Sequence, residues 1–354
     1  MSSVDFAPVL EQLLAHEDLS AALTERAFGA ILDGSWSEAQ IAAFAVALRA
    51  KGESPSEIAA AARALRARAF AIHPQLPAGT PLLDTCGTGG DGASTLNVST
   101  ITALVVAASG VAVAKHGNRA VSSRAGSADL LEALGVRIVD ESPAVAGRLT
   151  AAIEQVGIAF LFAPRHHSAL RHAAKVRREL GVRTIFNLLG PLANPAGATH
   201  QLLGVFDDRR RPTLAAVLAE LGTVRAWVVH GEPTEGAPRG LDEVSPSGPT
   251  RVTELDRGTL RELVIVPADA GLAPTPLSAL AGGDATDNAR ATEAILAGEP
   301  HPARSAVLLN AACALVVAGV EHDLVTARQR AERALDDGRA RDTLARLRRA
   351  MEAP

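Results

Sequence analysis

Aromatic residues are scarce in this chain, which has eight Phe, two Trp and no Tyr among its 354 residues. Lysine is scarcer still for a basic residue, with three lysines against 32 arginines in a chain of formal net charge −4. Proteins that bind single-stranded nucleic acid stack the bases on aromatic rings that lie among basic residues. The sequence has few rings and no basic run interleaved with them, so it argues against a nucleic-acid partner.

The chain also has few cysteines and no long apolar runs. The two cysteines, Cys86 and Cys313, are far apart and neither has a CxxC partner, which argues against a disulfide framework and a thiolate zinc site. The longest uncharged apolar stretches, such as residues 101–114, fall short of the roughly 20 residues that span a bilayer. The N-terminus has no basic region before an apolar core. We therefore expect a cytoplasmic protein without a membrane partner.

In the N-terminal part, apolar residues recur at three- and four-residue spacing, which predicts a series of helices. Two of these helices have clear start signals. Ser37 with Gln40 matches a capping box, and Ser54 with Glu57 matches another that has Pro55 at the first helical position. Residues 73–81 hold three prolines and a glycine and are predicted to be a linker.

Beyond this linker, short apolar runs alternate with longer helical stretches. The runs predict strands at residues 81–83, 111–114, 136–139, 158–162, 202–206 and 226–229. Two further runs, residues 250–255 and 260–266, flank Asp256-Arg257-Gly258 and predict a hairpin. The expected fold class is α/β, with a small all-helical N-terminal domain and a larger α/β domain whose mostly parallel central sheet is flanked by helices.

The segment LLDTCGTGGDGASTLNVST, residues 82–100, predicts a strand, a glycine-rich turn and the start of a helix. Glycines at 87, 89, 90 and 92 let the backbone approach a ligand closely, and exposed N–H groups at such a turn favour an anion such as phosphate. A plain strand-to-helix turn is the alternative. Four glycines each carry an entropic cost that a mere turn does not require, which favours phosphate binding.

The same glycines formally match G-x-G-x-x-G, the dinucleotide-binding pattern. That interpretation requires an acidic residue after the second strand to take the ribose hydroxyls. The second predicted strand runs instead into Lys115-His116-Gly117-Asn118, and a cation there argues for further phosphate. The P-loop alternative fails because the sequence has no Gly-Lys pair.

Lys115 is one of only three lysines, and its compact ammonium suits a cramped phosphate site better than a planar guanidinium does. Hydrogen-bond donors crowd the residues that follow: Arg119, Ser122, Ser123, Arg124 and Ser127. Such a density is typical of anion binding. Of the other two lysines, Lys51 is expected to be an ordinary surface residue beside a helix end.

Several motifs in register resemble those of the anthranilate phosphoribosyltransferases. They are GTGGD followed by TxNxST, then KHGNRAVSS, VRRELGVRTIFNLLGPLANPA, GLDEVSP and GGDATDNA. The resemblance extends over nearly the whole chain with matching order and spacing. It implies transfer of the phosphoribosyl group of 5-phosphoribosyl 1-pyrophosphate (PRPP) to the amine of anthranilate, the second step of tryptophan biosynthesis from chorismate, with pyrophosphate as the other product.

The resemblance implies a PRPP site built from the glycine-rich loop, the following helix start and the segment after the second strand. The residues implied to bind PRPP are Gly87, Gly90, Asp91, Thr95, Asn97, Val98, Ser99, Thr100, Lys115, His116, Gly117, Asn118, Arg119, Ala120, Val121, Ser122, Ser123 and Ser127.

It also implies a magnesium site and an anthranilate site. Ser99, Asp242 and Glu243 would hold Mg²⁺, with two ions per active site, and this agrees with the preference of magnesium for oxygen ligands, waters and substrate phosphates. The implied catalytic residues are Lys115, Asp242 and Glu243. Anthranilate would contact Gly87, Asn118, Arg177, His116 and His167. Without the resemblance, Arg177 would be one of several arginines, with Arg171, Arg178 and Arg183, on a solvated helix.

For the architecture, the resemblance implies that residues 1–76 form the helical domain, joined by residues 169–194, and that residues 77–168 and 195–354 form the α/β domain. Closure of the two would bring the substrates together. A homodimer through the helical domain is also implied. The chain departs from the family pattern in a longer loop over residues 231–240, in Ser168 and in Ala125.

Two other functions compete with this one. A pyrimidine nucleoside phosphorylase-like enzyme would share the fold and the glycine-rich phosphate loop, but it would need no magnesium, so Ser99, Asp242, Glu243 and Arg177 argue against it. A non-catalytic regulator that binds a phosphate ligand is the third class, and it would bind PRPP without turnover.

Overall fold

The computed structural model describes residues 4–93, 95–120, 124–138, 143–232, 234 and 239–352. Its N-terminal part is helical, as the sequence predicts. The helices are α1 (Phe6–Leu14), α2 (Ala21–Leu32), α3 (Glu38–Lys51) and α4 (Pro55–Arg66). Both predicted capping boxes are confirmed. At the second, the Glu57 N–H donates to Ser54 Oγ at 3.3 Å, and Glu57 Oε2 accepts from the Ser54 N–H at 2.9 Å.

Lys51 is not the surface residue that the sequence analysis expects. Its side chain is 4% exposed, and Nζ donates to the fully buried Glu57 at 2.9 Å and to the carboxylate of Asp18. The other Glu57 oxygen accepts from the Leu19 N–H at 2.9 Å. The capping carboxylate of α4 therefore anchors both the end of α3 and the segment before α2, and Lys51 neutralises its charge.

Within the described residues, seven strands form one sheet in the order β3-β2-β1-β4-β5-β6-β7. Strands β1 to β5 are parallel, and β6 and β7 form the predicted antiparallel hairpin. The strand bounds are β1 Leu82–Gly87, β2 Ala112–Gly117, β3 Ile158–Phe162, β4 His200–Gly204, β5 Arg225–Gly231, β6 Thr250–Asp256 and β7 Thr259–Ile265.

The observed strands differ from the predicted ones at several ends and in one element. β1 and β2 continue past their apolar runs because polar residues also take strand positions at the carboxyl ends of these strands. They are Thr85 in β1 and Lys115 and His116 in β2. The predicted strand at residues 136–139 is wrong for residues 136–138, which are neither helix nor strand, and residue 139 lies outside the described residues.

Two apolar cores lie on opposite faces of the sheet. Leu202 of β4 and Val229 of β5 belong to one core, whereas Leu203 and Val228, their neighbours in sequence, belong to the other. Alternate strand residues point to opposite faces, so both faces must be apolar. The first core is covered by α5 (Val98–Ala108) and α13 (Arg304–Val317). The second is covered by α11 (Arg210–Glu220), and α4 packs against α11 from the helical part.

The remaining helices complete these two layers. They are α6 (Ser127–Ala133), α7 (Pro143–Ala151), α8 (Ala163–His166), α9 (Arg171–Leu180), α10 (Phe186–Leu192), α12 (Ala285–Leu296), α14 (Leu324–Asp336) and α15 (Arg339–Glu352). Apolar residues of α9 and α10 join the core of α1 to α4. In the part of the chain that the structure describes, no helix has the length and apolar character needed to cross a membrane.

The chain order across the sheet reverses between β1 and β4. From β1 the chain moves outward through β2 to β3, and it then returns to β4 on the other side of β1. In open parallel sheets, ligands bind in the crevice at the carboxyl ends of the strands where the order reverses. The glycine-rich loop follows β1 and therefore lies at this crevice.

His200, at the opposite end of β4 from this crevice, gives the fold a predicted acid sensitivity. Burial, together with Arg225, lowers the pKa of His200 to about 4. As pH falls, the unfolded chain therefore takes up this proton first, and stability is lost from the unfolded pKa of about 6.5 downward. Wild type should therefore lose unfolding free energy between about pH 7.5 and 4.5. In His200→Gln this loss should be smaller by about 1 to 2 kcal/mol, allowing for partial solvent screening.

Chemical denaturation of both proteins at the two pH values measures this difference. His73→Gln, at an exposed histidine of the linker, is the control and should leave the acid sensitivity as it is. An equal loss of stability on acidification in wild type and His200→Gln would contradict the prediction.

Candidate active site

The loop after β1 presents unused backbone donors. Gly89, Gly90 and Gly92 have φ values of +68°, +85° and +76°, which other residues rarely adopt. Among the residues that the structure describes, the N–H groups of Gly90, Asp91 and Gly92 donate to no acceptor of the protein. Successive free N–H groups in a turn with positive φ form an anion-binding concavity, so the loop is suited to a phosphate.

Lys115 lies beneath this loop at the end of β2. Its side chain is buried, and Nζ donates to the Thr85 carbonyl at 2.6 Å and to Ser99 Oγ at 3.3 Å. Burial lowers the pKa of Lys115, and the nearby carboxylates of Asp84 and Glu243 oppose that shift. Lys115 therefore places a buried cation next to the first turn of α5.

Asp242 and Glu243 reach the same place from the segment after β5. Asp242 Oδ2 accepts from the Gly89 N–H at 2.6 Å, and Glu243 Oε1 accepts from the Ser99 N–H at 3.1 Å. Burial, followed by the charges of Asp91 and Glu243, raises the pKa of Asp242 well above its usual range. Burial raises the pKa of Glu243 to about 7, against the attraction of Lys115. Three carboxylates thus lie close enough to repel one another.

Two glycines make this approach possible. A Cβ atom on Gly87, at the end of β1, would overlap the carboxylate of Asp242. A Cβ atom on Gly204, at the end of β4, would overlap the Asp242 backbone carbonyl. Both strands at the reversal point therefore end in glycine because Asp242 passes directly over them.

The donor set fits a magnesium ion that is shared with a substrate. No group of three His, Cys, Asp or Glu side chains in the described residues is arranged to hold a metal by itself. The site offers Asp242, Glu243 and the hydroxyl of Ser99, which are oxygen donors only. Magnesium is commonly bound by one or two carboxylates together with substrate phosphates and waters. A cation would also relieve the repulsion that raises the pKa of both carboxyl groups.

The N-terminus of α5, which follows the glycine-rich loop, is hydrogen-bonded to the segment that carries the motif GGDATDNA, residues 282–289. Asn97 Nδ2 donates to the Ala125 carbonyl at 3.0 Å, and Asn97 Oδ1 accepts from Asn288 Nδ2 at 3.1 Å. Thr95 pairs with Ala281 in an isolated bridge. These contacts hold the predicted PRPP residues Thr95 and Asn97 to Thr100 in one turn at the N-terminus of α5.

The segment after β2 lies along the same edge of the sheet. Asn118 accepts, through its backbone carbonyl, from Ser127 Oγ at 3.1 Å. The Arg119 side chain does not face the cleft as a free cation, because it forms ion pairs with Asp129 at 2.9 Å and Glu132 at 2.6 Å. Of the other predicted PRPP residues, Ala120 donates its N–H to Asp129, whereas Val121, Ser122 and Ser123 lie outside the described residues.

The predicted anthranilate residues are only partly brought together. The rings of His116 and His167 are packed edge to face, with centroids 5.1 Å apart, and burial lowers the pKa of both histidines. Arg177 is half-buried on α9, and burial lowers its pKa. Its guanidinium forms no hydrogen bond or ion pair with any other residue that the structure describes. A half-buried guanidinium without a counter-ion is suited to bind a carboxylate.

Sequence reasoning missed Asp84 and Asn194. Asp84 is fully buried in β1, where Oδ1 accepts from the His116 N–H at 3.0 Å and Oδ2 from Asn194 Nδ2 at 2.8 Å. Asn194 Nδ2 also donates to the Ala114 carbonyl at 2.8 Å. This network joins β1, β2 and the segment that precedes β4 directly behind Lys115. The signal in the sequence was a carboxylate inside an otherwise apolar strand.

Arg183 was also missed as a candidate for the cleft. It lies on the loop after α9 rather than on a solvated helix, and Nη2 donates to the Gly90 carbonyl at 3.2 Å. The loop that carries the unused N–H groups is therefore contacted from the helical side of the molecule.

Fold and site together define an α/β protein suited to bind a phosphate-bearing ligand at the point where the strand order reverses. Two family models match the chain: "Glycosyl transferase family, helical bundle domain" over residues 7–69 and "Glycosyl transferase family, a/b domain" over residues 79–341. The chain is 51% identical over 339 residues to an anthranilate phosphoribosyltransferase of Myxococcus xanthus, and the match covers 96% of both chains.

Solved structures agree with these matches. The anthranilate phosphoribosyltransferase of Thermus thermophilus has a TM-score of 0.89 and 43% identity, covering 98% of this chain and 99% of that one. The Saccharomyces cerevisiae enzyme in complex with PRPP and Mg has a TM-score of 0.86 and 28% identity, covering 98% and 97%. The chain belongs to this glycosyl transferase family and, within it, to the anthranilate phosphoribosyltransferases.

Proposed function

We propose that the cleft at the carboxyl ends of β1, β2 and β4 binds PRPP and that its phosphoribosyl group is transferred there to the amine of anthranilate. The observation that carries this is the convergence of three features. The unused N–H groups of Gly90, Asp91 and Gly92 suit a phosphate, Lys115 supplies a buried cation, and Asp242 and Glu243 suit a metal.

In the reaction, the anthranilate nitrogen forms a bond to the anomeric carbon of the ribose while the bond from that carbon to the pyrophosphate oxygen breaks. Positive charge develops on the sugar and negative charge on the leaving oxygen. Loop N–H groups and Lys115 hold the phosphates in place, so catalysis rests on positioning and on cations that are already fixed in the site. An aromatic amine is already nucleophilic. As the new bond forms, its nitrogen becomes acidic and its proton passes to solvent or to the departing pyrophosphate, so no strong general base is required.

Mg²⁺ is supported by the magnesium-bound yeast relative and by the oxygen donors Ser99, Asp242 and Glu243. We propose two ions per site, because two carboxylates face a substrate that carries both a pyrophosphate and a ribose. When bound, magnesium would neutralise the charge on the departing pyrophosphate. The protein's own part is to hold both carboxylates rigidly through the N–H groups of Gly89 and Ser99.

Anthranilate is proposed to bind between Arg177 and the segment around Gly87, His116, Asn118 and His167. Its carboxylate needs a cation, and Arg177 is a half-buried one that no described carboxylate pairs with. Removing a charged hydrogen-bond partner costs about 1.5 to 3 kcal/mol, so Arg177→Gln should raise the KM for anthranilate by about tenfold or more and change the KM for PRPP little.

A fluorescence assay of anthranilate consumption with PRPP, with and without magnesium, tests both the function and this residue. The matched control is Arg178→Gln, the next residue of α9, which is exposed and should behave as wild type. Product formation from thymidine and phosphate, with none from anthranilate, would overturn the proposed function in favour of a nucleoside phosphorylase. An unchanged KM for anthranilate in Arg177→Gln would overturn only the assignment of Arg177.

The proposed architecture has residues 1–76 and about 169–194 in one lobe and the remainder in the other. The shared core of α1 to α4 with α9 and α10 supports it. We also propose a homodimer through the helical lobe, where Leu14 of α1 and Val46 of α3 are exposed at 58% and 45%. The molecular mass in solution, from light scattering, tests the dimer. As an enzyme of amino-acid biosynthesis, the protein is proposed to act in the cytoplasm.

A further inference from the structure

Arg183 connects the two sides of the cleft. It lies two residues beyond Gly181, whose φ of +60° ends α9. The Arg183 carbonyl accepts a hydrogen bond from Arg49, near the end of α3, so its backbone is fastened to the helical side. Its guanidinium reaches the other side, where Nη2 donates to the Gly90 carbonyl at 3.2 Å.

Phe206 fixes the plane of this guanidinium. The Arg183 Cζ atom lies 3.7 Å from the centroid of the Phe206 ring, in the segment that follows β4. A guanidinium over an aromatic face gains cation–π attraction and keeps its in-plane N–H donors free for hydrogen bonds. Stacking on Phe206 therefore aims the N–H edge of Arg183 at the glycine-rich loop.

The glycine at position 90 is required by this contact. A Cβ atom on Gly90 would overlap Arg183 Nη2, and φ at Gly90 is +85°. The loop and the guanidinium thus fit each other only with glycine there. No carboxylate of the described residues forms an ion pair with Arg183, although Asp242 and Asp207 attract its charge.

The hydrogen bond to Gly90 has a consequence for the next residue. In a trans peptide, the C=O and the N–H of the same unit point in opposite directions. When Arg183 holds the Gly90 carbonyl, the Asp91 N–H must point away from Arg183, and this N–H is one of the three donors that no described acceptor uses. The orientation of one phosphate-binding donor therefore depends on Arg183.

We propose that Arg183 is a positioning residue for PRPP: clamped between the Phe206 ring and the Gly90 carbonyl, its guanidinium fixes the Gly90–Asp91 peptide so that the Asp91 N–H faces the phosphate. This inference rests on the proposed function of the same cleft. It assigns to Arg183 a role distinct from that of Arg177, since Arg183 acts on PRPP through the loop and not on anthranilate.

The test measures PRPP binding to the full chain with magnesium by calorimetry, together with steady-state kinetics. Arg183→Gln should weaken PRPP binding and raise the KM for PRPP by about tenfold, with the KM for anthranilate changed less than about twofold. Arg183→Lys should recover little, because an ammonium cannot stack and hydrogen-bond in one plane. Phe206→Leu should weaken PRPP binding in the same direction, and the double variant should be no worse than Arg183→Gln alone.

Arg178→Gln serves as the matched control and should bind PRPP as wild type does. An unchanged KM for PRPP in Arg183→Gln, or full recovery by Arg183→Lys, would overturn the inference. Lys115→Met separates this failure from that of the proposed function. If Lys115→Met loses PRPP binding while Arg183→Gln keeps it, only the role of Arg183 is wrong, and if both keep it, the PRPP site itself is wrong.

Discussion

Lys115→Met is expected to lower kcat/KM for PRPP by on the order of a thousandfold, because it removes the only lysine ammonium of the proposed phosphate site. Methionine has a similar length and can fill the buried space that Lys115 occupies at the end of β2. The cation beside Ser99 and Glu243 would be lost, and with it the charge that opposes the negative charge developing on the leaving group.

The Lys115→Met protein should still fold, because the protonation state of Asp84 can change. Burial already raises the pKa of Asp84 to about 6 even with Lys115 nearby. Without Lys115 the carboxyl group is expected to take up a proton rather than remain a buried charge, so little unfolding free energy should be lost.

Steady-state kinetics and thermal unfolding of the same preparations measure the two effects. Lys175→Met is the control, since Lys175 is half exposed and pairs with Glu38 at 2.6 Å on the surface. Activity of Lys115→Met within threefold of wild type, with an unchanged melting temperature, would show that Lys115 has no part in the chemistry.

The features that could be predicted from the sequence are those that depend on residues close to one another in the chain. The two capping boxes of α3 and α4, the β6–β7 hairpin and the glycine-rich turn after β1 each depend on a few consecutive residues. The order of strands and helices followed from the alternation of apolar runs, except that the run at residues 136–139 predicted a strand that residues 136–138 do not form. For the same reason the predicted ends of β1 and β2 were short, since Lys115 and His116 carry no apolar signal although they lie in a strand.

The contacts that complete the cleft could not be predicted in this way. Asp84 meets Asn194, 110 residues along the chain, and Arg183 meets Gly90 at a separation of 93. Lys51 was expected at the surface because nothing in its local sequence shows that the capping residue Glu57 needs a counter-charge. Each case is a polar side chain whose partner is set by the packing of distant elements, and propensity and periodicity do not encode such pairs.

Asp242→Asn combined with Glu243→Gln is expected to abolish magnesium-dependent turnover, with a loss on the order of a thousandfold or more. Both replacements keep the shape of the side chain and an oxygen that can accept from the N–H groups of Gly89 and Ser99. Only the negative charges that would bind the metal are removed.

The same double variant should be at least as stable as wild type in the absence of substrate and metal. Burial and mutual repulsion raise the pKa of both carboxyl groups in the folded protein, so each ionised group costs folding free energy that a neutral amide does not. An active site that keeps like charges buried so that it can bind a cation is typical of a function maintained at the expense of stability.

Thermal unfolding without ligand, and again with PRPP and magnesium, separates the two consequences. The melting temperature of wild type with PRPP should rise when magnesium is added, whereas that of the double variant should rise little. The reason is that a ligand that binds only the folded state stabilises that state. Full turnover of the variant at limiting magnesium would show that Asp242 and Glu243 are not the metal ligands. A variant that is inactive, stable and unresponsive to magnesium would instead locate the metal at the point where β1 and β4 end in glycine beneath Asp242.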